Sequence, residues 1–347
     1  MIIRACTLVA PLFVFLISCS SLAYSQPVET STEPNLRVAF FGDQGLGPES
    51  IAVLQLIKNE GAAFAVHLGD FDYADDPAGW EAQVNQVLGA NFPYFGVVGN
   101  HDLPKWNVLG GYEERLQQRL ARIPGANCTG LLGVNMTCTY RGLFFVLSGV
   151  GTLGEGHVDY LRNSLSQSHA TWEICNWHKN QASMQIGGKV DEVGWEAYET
   201  CRQAGAMILT GHEHSYERTK TLLNMITKQV DPSCGGVGTA CLQEDATVGR
   251  SFVVVTGLGG ESIRNQQRCL PTTYPYGCNE WAKIYTSDQG ANYGALFIDF
   301  NIGGNPNKAH GYFKNIDNQV VDSFDIIKSP PVSPGSPAVP TNLRVNP

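Results

Sequence analysis

The first half of the chain alternates short apolar runs with segments of helical periodicity. Apolar runs cover Leu36–Asp43, Ala62–Asp70 and Pro93–Asp102, and helical segments at Pro48–Gly61 and Ala78–Gly89 lie between them. Runs that are apolar at nearly every position indicate strands buried on both faces. Helices between such strands indicate parallel pairing with right-handed crossovers. The pattern therefore predicts a βαβαβ unit and an α/β fold.

The second half begins with the same alternation and then changes. Strands are predicted at Tyr140–Gly149, Thr171–His178 and Ala206–His214, with a helix at Asp191–Gly205 before the last of them. In the last third of the chain, apolar stretches follow one another with few helical segments between them. This predicts a second, mostly antiparallel sheet. Residues 329–347 are rich in proline and serine and are predicted to form a tail or linker.

The N-terminus has the pattern of an export signal. Arg4 precedes an apolar run of about ten residues, Leu8–Ile17, and small and polar residues follow it. The run is too short to span a bilayer, so residues 1–25 are predicted to be a signal peptide cleaved after the AYS tripeptide. An alternative is a lipid anchor on Cys19, because the LISC sequence that ends there resembles a bacterial lipobox. In either case we expect a secreted or periplasmic protein without a transmembrane span.

Charge and cysteines narrow the class of protein further. The formal net charge is −9, and removing the predicted signal with its single arginine makes it −10, from 22 basic and 32 acidic residues. An acidic chain without a cluster of lysines or arginines is not expected to bind nucleic acid. An even number of cysteines in an exported chain indicates disulfides. Beyond the signal the cysteines stand in sequential couples, for which local pairing is one of many possibilities: Cys128/Cys138, Cys175/Cys201, Cys234/Cys241 and Cys269/Cys278.

Five of the predicted strands end in side chains that commonly bind metal ions. In an open α/β sheet, ligands bind beyond the carboxyl ends of the parallel strands, so these side chains are expected to converge although they span a long stretch of sequence. Each taken alone is more typical of a turn, a helix cap or a core position, and it is their joint occurrence that favours a site. In chain order they are Asp43, Asp70 with Tyr73, Asn100 with His101 and Asp102, His178, and His212 with His214.

The types of donor indicate which metals would bind. Carboxylates, an amide oxygen, imidazoles and a phenol suit Fe, Zn or Mn better than Cu(I) or Ca²⁺. The set is too large for one ion that keeps open positions. Two ions about 3.5–4 Å apart, bridged by a carboxylate, would use all of the donors. Such a pair can generate hydroxide and hold the oxygens of an in-line displacement at phosphorus.

These motifs together resemble the calcineurin-like metallophosphoesterases. The similarity lies in GDQG at 42–45, GDFDY at 69–73, GNHD at 99–102, His178, and GHEH at 211–214. Within that superfamily, Tyr73 and the GHEHSYER sequence are similar to the purple acid phosphatases. The resemblance covers about residues 36–328 as one catalytic domain. It implies a two-sheet β-sandwich flanked by helices, the metallophosphoesterase fold.

The resemblance also implies a role for each candidate residue. Asp70 would bridge the two ions, and a tyrosinate ligand implies Fe(III) at the first position, with Fe(II), Zn or Mn at the second. His101 would face the phosphate of the substrate, as would Asn100, and would stabilise the transition state or protonate the leaving group, with Asp102 orienting it. The first ion would take Asp43, Tyr73 and His214, and the second would take Asn100, His178 and His212.

The sequence departs from the family pattern after the fourth motif. The family usually has a valine three residues before the motif's histidine, where this chain has Cys175, and often places histidines that bind phosphate after it. Here Lys179, Asn180 or Lys189 would have to replace them. Glu213 is expected to point away from the ions. In the following SYER sequence, Tyr216 or Arg218 is expected to hold the imidazoles in place.

The motifs favour a secreted acid phosphatase. We expect a metal-dependent enzyme that hydrolyses small phosphate monoesters by direct attack of metal-activated hydroxide. Two alternatives stay open at the level of sequence. One is a phosphodiesterase or nucleotide hydrolase that uses the same site. The other is a secreted binding module that keeps the fold without catalysis, and the complete set of candidate ligands argues against it.

Overall fold

The structure, a computed structural model, describes residues 33–270 and 278–330. This part of the chain forms two large sheets, a short hairpin and five α-helices. The helices are α1 (Pro48–Asn59), α2 (Pro77–Val87), α3 (Tyr112–Leu120), α4 (His157–Ser166) and α5 (Trp195–Gln203). The strands are β1 (Leu36–Phe41), β2 (Phe64–His67), β3 (Tyr94–Gly96), β4 (Asn127–Leu131), β5 (Asn135–Tyr140), β6 (Leu143–Ser148), β7 (Trp172–Trp177), β8 (Met207–Thr210), β9 (Tyr216–Thr219), β10 (Leu222–Asn224), β11 (Gln229–Val230), β12 (Thr239–Leu242), β13 (Val253–Thr256), β14 (Trp281–Tyr285), β15 (Gly294–Phe300), β16 (Lys308–Asn315) and β17 (Val320–Lys328).

The predicted βαβαβ unit forms one half of the first sheet. Its strand order is β12-β17-β16-β15-β1-β2-β3, with β1, β2 and β3 parallel. The prediction that the last strands form a separate antiparallel sheet is wrong, because β15 pairs antiparallel with β1, Leu36 opposite Phe300. Since β1 is buried on both faces, its second edge needs a partner, and the antiparallel strands β15 to β17 supply it.

The second sheet has the order β14-β9-β13-β8-β7-β6-β5-β4. Strands β6, β7, β8 and β13 are parallel in its centre, and β9 runs antiparallel to β13. The five predicted strand ends therefore belong to two sheets. Those of β1, β2 and β3 lie in the first sheet, and those of β7 and β8 lie in the second.

Three apolar layers hold the sheets and helices together. The largest lies between the sheets and joins side chains such as Phe64 and Phe145, whose rings stack at 6.1 Å. A second layer packs the first sheet against α1, α2 and α3, and a third packs the second sheet against α4 and α5. Burial of this apolar surface is the main favourable term in folding. The predicted two-sheet sandwich flanked by helices is confirmed.

Helices α1 and α2 start at or within one residue of their predicted first residues, Pro48 and Ala78. Helix α1 starts at Pro48, where the missing N–H is not needed, and Asp76 caps α2 by accepting a hydrogen bond from the backbone N–H of Gly79 at 2.9 Å. Helix α5 starts at Trp195, four residues later than the prediction at Asp191. The carboxylate of Asp191 instead accepts a hydrogen bond from the backbone N–H of Ala182 at 2.8 Å, which holds these residues in a loop.

Of the pairings that the sequence leaves open, the structure has the local one in all four couples. They join Cys128 to Cys138, Cys175 to Cys201, Cys234 to Cys241 and Cys269 to Cys278. The second explains the cysteine that replaces the family valine, because it ties strand β7 to helix α5. A closed loop of this length stabilises a fold by about 3 kcal/mol in the chain-entropy account.

Several predictions fall partly or wholly outside the described residues. These are the signal peptide at 1–25, the alternative lipid anchor on Cys19, and the tail, of which only residues 329 and 330 are described. Within the described ranges, none of the helices has the length and apolar character needed to span a bilayer. The assignment of 36–328 as one catalytic domain stays a prediction.

Candidate metal centre

Three of the candidate ligands have a backbone conformation that is rare for residues other than glycine. Asp43, Asp70 and His212 follow the glycines at the ends of β1, β2 and β8, and their φ angles are 60°, 58° and 70°. Left-handed backbone costs such a residue about 1–3 kcal/mol, and residues that hold it cluster at functional sites as well as in turns. The three strained residues turn their side chains into one place.

The first group of donors surrounds the phenol of Tyr73. Its Oη atom lies 3.0 Å from Oδ1 of Asp43 and 3.0 Å from Nε2 of His214. Oδ1 of Asp43 and Nε2 of His214 are 3.3 Å apart. The three donor atoms are therefore mutual neighbours. His214 and Asp43 are buried, and Tyr73 is partly exposed.

The second group surrounds the imidazole of His178. Its Nε2 atom is 3.1 Å from Oδ1 of Asn100 and 3.1 Å from Nδ1 of His212. One oxygen of Asp70, Oδ2, lies 3.2 Å from Nε2 of His178 and also 3.2 Å from Oη of Tyr73. The same carboxylate oxygen therefore faces both groups, as a bridging ligand must.

The spacing of these atoms fits two coordination shells. Donors about 2.1 Å from an ion and at right angles to one another are about 3 Å apart. Distances of 3.0–3.3 Å within each group agree with this. Asp70, His178 and His212 alone form a cluster able to hold one ion. The structure thus brings together all seven predicted ligands and indicates a binuclear metal centre.

Each imidazole has an acceptor for its outward-facing nitrogen. Nδ1 of His178 lies 2.7 Å from the carbonyl oxygen of Leu68, and Nδ1 of His214 lies 2.8 Å from Oγ of Ser262. Nε2 of His212 lies 2.7 Å from a carboxylate oxygen of Glu192. Such partners fix which ring nitrogen carries the proton and leave the other free for the metal. Ser262 and Glu192 lie outside the five motifs, and no sequence signal marks them for this role.

Two glycines beside the ligands are required by close approach. A Cβ on Gly99 would lie 2.0 Å from the backbone nitrogen of Asp70. Gly69 has a φ of 87°, and a Cβ there would lie 2.7 Å from Nδ1 of His178. The glycine in each motif therefore lets two strand ends meet.

The carboxylates of the centre favour a positive charge beside them. Burial raises the pKa of the Tyr73 phenol well above its ordinary value, and the carboxylates of Asp43 and Asp70 raise it further. Burial also acts to raise the pKa of Asp70, but the imidazole of His178 outweighs it and the net shift is downward. Burial acts to lower the pKa of His178, and Asp70 nevertheless raises it to about 9. A proton on His178 therefore balances Asp70 where a cation would otherwise do so.

His101 and Asp102 lie in different surroundings. The exposed ring of His101 packs against the ring of Tyr73 at 4.4 Å, so it borders the centre from the solvent side. Asp102 is buried, and its carboxylate accepts hydrogen bonds from the backbone N–H groups of Gly99, Asp70 and Phe71 at 2.6, 3.0 and 2.8 Å. The expectation that Asp102 orients His101 is therefore replaced by another role. Its carboxylate ties together the two loops that carry Asp70 and Asn100.

The expected role of the SYER sequence is wrong. The Tyr216 hydroxyl and the Arg218 guanidinium bind Asp322 of β17, at 2.8 and 2.7 Å, and do not hold the imidazoles. Strand alternation explains the difference, since both side chains leave β9 toward the core between the sheets.

The three proposed substitutes for phosphate-binding histidines have different positions, and only one of them lies beside the centre. Asn180 is buried and donates to the carbonyl oxygen of Gly211 at 2.8 Å, so it supports the backbone. Lys179 forms an ion pair with Glu192 at 2.6 Å. Lys189 contacts the carbonyl oxygen of His212 and so lies beside the centre.

Comparison with known proteins adds a family and a set of folds. The calcineurin-like phosphoesterase family matches residues 36–216, slightly more than half of the chain. No curated protein sequence matches the chain significantly.

Solved structures share the fold at low sequence identity. Purple acid phosphatase PPD1 from yellow lupin (Lupinus luteus) seeds has a TM-score of 0.61 and 17% identity, over 86% of this chain and 55% of that protein. PhoD has a TM-score of 0.50 and 12% identity, over 84% of this chain and 68% of that one. GAP50, the anchor in the inner membrane complex of Plasmodium, has a TM-score of 0.51 and 15% identity, over 86% and 90%. The chain spans about half the length of PPD1. These likenesses agree with the fold that the sequence resemblance implies.

Proposed function

Because the chain belongs to the calcineurin-like phosphoesterase family, we propose that it is a secreted binuclear-metal phosphatase that hydrolyses phosphate monoesters. In this proposal hydroxide, which bound metal ions would make available, would attack phosphorus directly, without a phosphorylated enzyme. One observation carries the proposal: Oδ2 of Asp70 lies 3.2 Å both from Tyr73 of one donor group and from His178 of the other. Oδ1 of the same carboxylate accepts a hydrogen bond from the backbone N–H of His101 at 2.8 Å, and Oδ2 is the atom that would serve both ions.

The seven donors divide between the ions according to their contacts. Asp70 is shared. Asp43, Tyr73 and His214 would hold the first ion, and Asn100, His178 and His212 would hold the second. When bound, the two ions lower the pKa of water so that hydroxide is available near neutral pH, and they offset charge on the phosphoryl oxygens.

The surroundings of Tyr73 support a choice of metal at the first position. Burial and two carboxylates oppose loss of the phenol proton. Only a strongly acidic ion compensates for this, which favours Fe(III) at the first position. The second position, with imidazoles and an amide oxygen, suits Fe(II), Zn or Mn.

The residues at the rim act on the substrate. The exposed His101 ring beside Tyr73 donates a proton from a ring nitrogen to the leaving-group oxygen, or a hydrogen bond to the phosphoryl group. The Asn100 amide lies in the second donor group and helps to orient the phosphate. Lys189, beside His212, is the remaining cationic candidate for phosphate contact.

The remaining features are consistent with an exported enzyme for small substrates. Four disulfides favour an oxidising compartment. The predicted signal, and 36–328 as its catalytic domain, complete this proposal. A formal net charge of −9 disfavours nucleic acid as a substrate, so small phosphorylated molecules are expected.

A non-catalytic role is the second candidate. GAP50 is named an anchor and shares the fold over 90% of its length. The complete donor set argues against a purely structural role here, because a protein that does not bind metal gains nothing from three strained ligands.

Elemental analysis of the purified protein and turnover of mono-aryl and bis-aryl phosphates test the proposal together. We expect two ions per chain, a visible charge-transfer band from the Tyr73 phenolate, and faster turnover of the monoester at acidic pH. Two ions without colour would contradict the Fe(III)–phenolate assignment. Faster diester turnover would favour a phosphodiesterase, and metal-loaded protein without turnover would favour a binding module.

A further inference from the structure

A carboxylate outside the family motifs contacts the metal centre. Oε2 of Glu192 lies 2.7 Å from Nε2 of His212, and Oε1 of the same side chain lies 2.6 Å from Nζ of Lys179. The backbone N–H of Glu192 donates to the carbonyl oxygen of Asn180 at 3.1 Å. Residues 179–192 therefore form a loop that returns to the centre and places an ion pair directly behind one ligand.

We propose that Glu192 is a positioning residue for His212. We propose further that the ion pair with Lys179 weakens the effect of the Glu192 negative charge on the His212 imidazole. The inference rests on the proposed binuclear centre and deepens it. It identifies residues outside the sequence motifs that support a ligand of the second ion.

The geometry requires a proton acceptor at this point. Nδ1 of His212 lies 3.1 Å from Nε2 of His178, so both rings direct a nitrogen to the same place. His212 can bind an ion through Nδ1 only if Nε2 carries the ring proton, and Glu192 accepts that proton's hydrogen bond. The left-handed backbone of His212 makes this support more important, since its conformation is itself unfavourable.

The three imidazoles of the centre differ in the kind of acceptor behind them. His178 has a backbone carbonyl and His214 has a serine hydroxyl, whereas His212 has a carboxylate. A charged acceptor makes the imidazole a stronger donor to the metal than a neutral one does. Lys179 opposes this effect because its ammonium shares the carboxylate. Removing each partner of the pair should therefore change affinity for the second ion in opposite directions.

The experiment measures release of metal rather than activity. Wild-type protein and the variants Glu192→Gln and Lys179→Gln are dialysed against increasing concentrations of a chelator, and both ions are followed by elemental analysis. Zn²⁺ alone is then titrated back. Glu196→Gln is the matched control, because Glu196 is exposed in the first turn of α5, four residues away.

We expect Glu192→Gln to lose one ion at a chelator concentration at least about tenfold lower than wild type, with release of the other ion unchanged. Lys179→Gln should hold that ion more tightly, and Glu196→Gln should behave as wild type. Circular dichroism confirms that each variant is folded.

Three results would overturn the inference. They are unchanged release from Glu192→Gln, equal loss of both ions, and weaker binding in Lys179→Gln, which would show that the loop matters only as a structure. A wild-type protein that holds fewer than two ions would instead refute the proposed function itself.

Discussion

Two clusters of buried charge stand only a few residues apart in the GHEHSYER sequence, and they are built differently. The first contains His212 and His214 of the metal centre, and the second contains Arg218. In the second, Nε and Nη2 of Arg218 bind the two oxygens of Asp322 at 2.7 and 3.0 Å. The guanidinium also lies 3.8 Å from the centroid of the Phe324 ring. This cluster pairs its own charges within the protein.

The metal centre does not balance itself in this way. Its donors face one another, and the charge of Asp70 is opposed by protonation of His178, whose pKa is raised to about 9. A cluster in which acceptors converge with only a proton between them is arranged for a cation that the protein does not supply. The comparison therefore separates a structural network from a ligand site. It predicts opposite consequences when each loses a carboxylate.

The largest effect is expected for Asp70→Asn. Loss of the shared oxygen should reduce turnover beyond the roughly 10²–10³-fold cost of one electrostatic donor, and at least one ion should be lost. The metal-free protein should lose less stability than the Asp322 variant below, because His178 can release its proton once residue 70 is neutral, whereas a guanidinium stays charged. Phosphatase assays, elemental analysis and urea unfolding measure the three quantities. Full activity with two ions retained would refute the assignment of Asp70 as the bridge.

Asp322→Asn should give the opposite result. It leaves Arg218 buried without a counter-charge, which costs about 3–5 kcal/mol in the free energy of unfolding. Metal content should stay at two ions, since Asp322 has no contact with a ligand in the described part of the chain. Urea unfolding with elemental analysis tests both points.

Asp325→Asn is the matched control, because Asp325 lies on the same strand with an exposed side chain paired to His310. It should leave stability unchanged. Equal stability of the Asp322 and Asp325 variants would mean that the buried pair is not structural.

The sequence predicted the fold where short-range patterns decide it. Apolar runs and helical periodicity identify β1 to β3 with their helices, and these are local features. The pairing of β15 with β1 was not predictable from them, because it joins residues more than 250 positions apart and depends on which edge is left without a partner. The same is true of Asp322, which lies more than 100 positions from Arg218.

For the candidate site, the ligands could be predicted from the sequence, but the residues that support them could not. Strand ends in parallel sheets converge for topological reasons, so the positions of Asp43 and His178 follow from where their strands end. The residues that hydrogen-bond to the ligands could not be predicted in this way. Glu192 and Ser262 contact the imidazoles from loops whose course no local pattern determines. Alternation along β9 could have assigned Tyr216 and Arg218 to one face, but could not show that this face points to the core.

Glu217 separates the two clusters and shows a third way to bury a carboxyl group. It leaves β9 on the face opposite to Arg218 and accepts hydrogen bonds from the Ile186 backbone N–H at 2.9 Å and the Ser215 hydroxyl at 2.6 Å. Burial, and then the charge of Glu213, raise its pKa from 4.5 to about 8. Glu217 is therefore protonated in the folded protein at neutral pH.

This proton predicts a pH dependence of stability with a definite sign. Between pH 4.5 and about 8 the folded state holds a proton that the unfolded state releases, so stability falls as the pH rises. The slope from this group is at most about 1.4 kcal/mol per pH unit. Glu217→Gln keeps the shape without the titration, so the unfolding free energy of the wild type should fall relative to that of the variant as the pH rises across the window. Both proteins have the same metal ligands, so the pH dependence that comes from those ligands cancels in the difference. Parallel pH profiles would show that Glu217 is ionised when folded. It would then need a cation of its own, and the boundary between the two clusters would lie elsewhere.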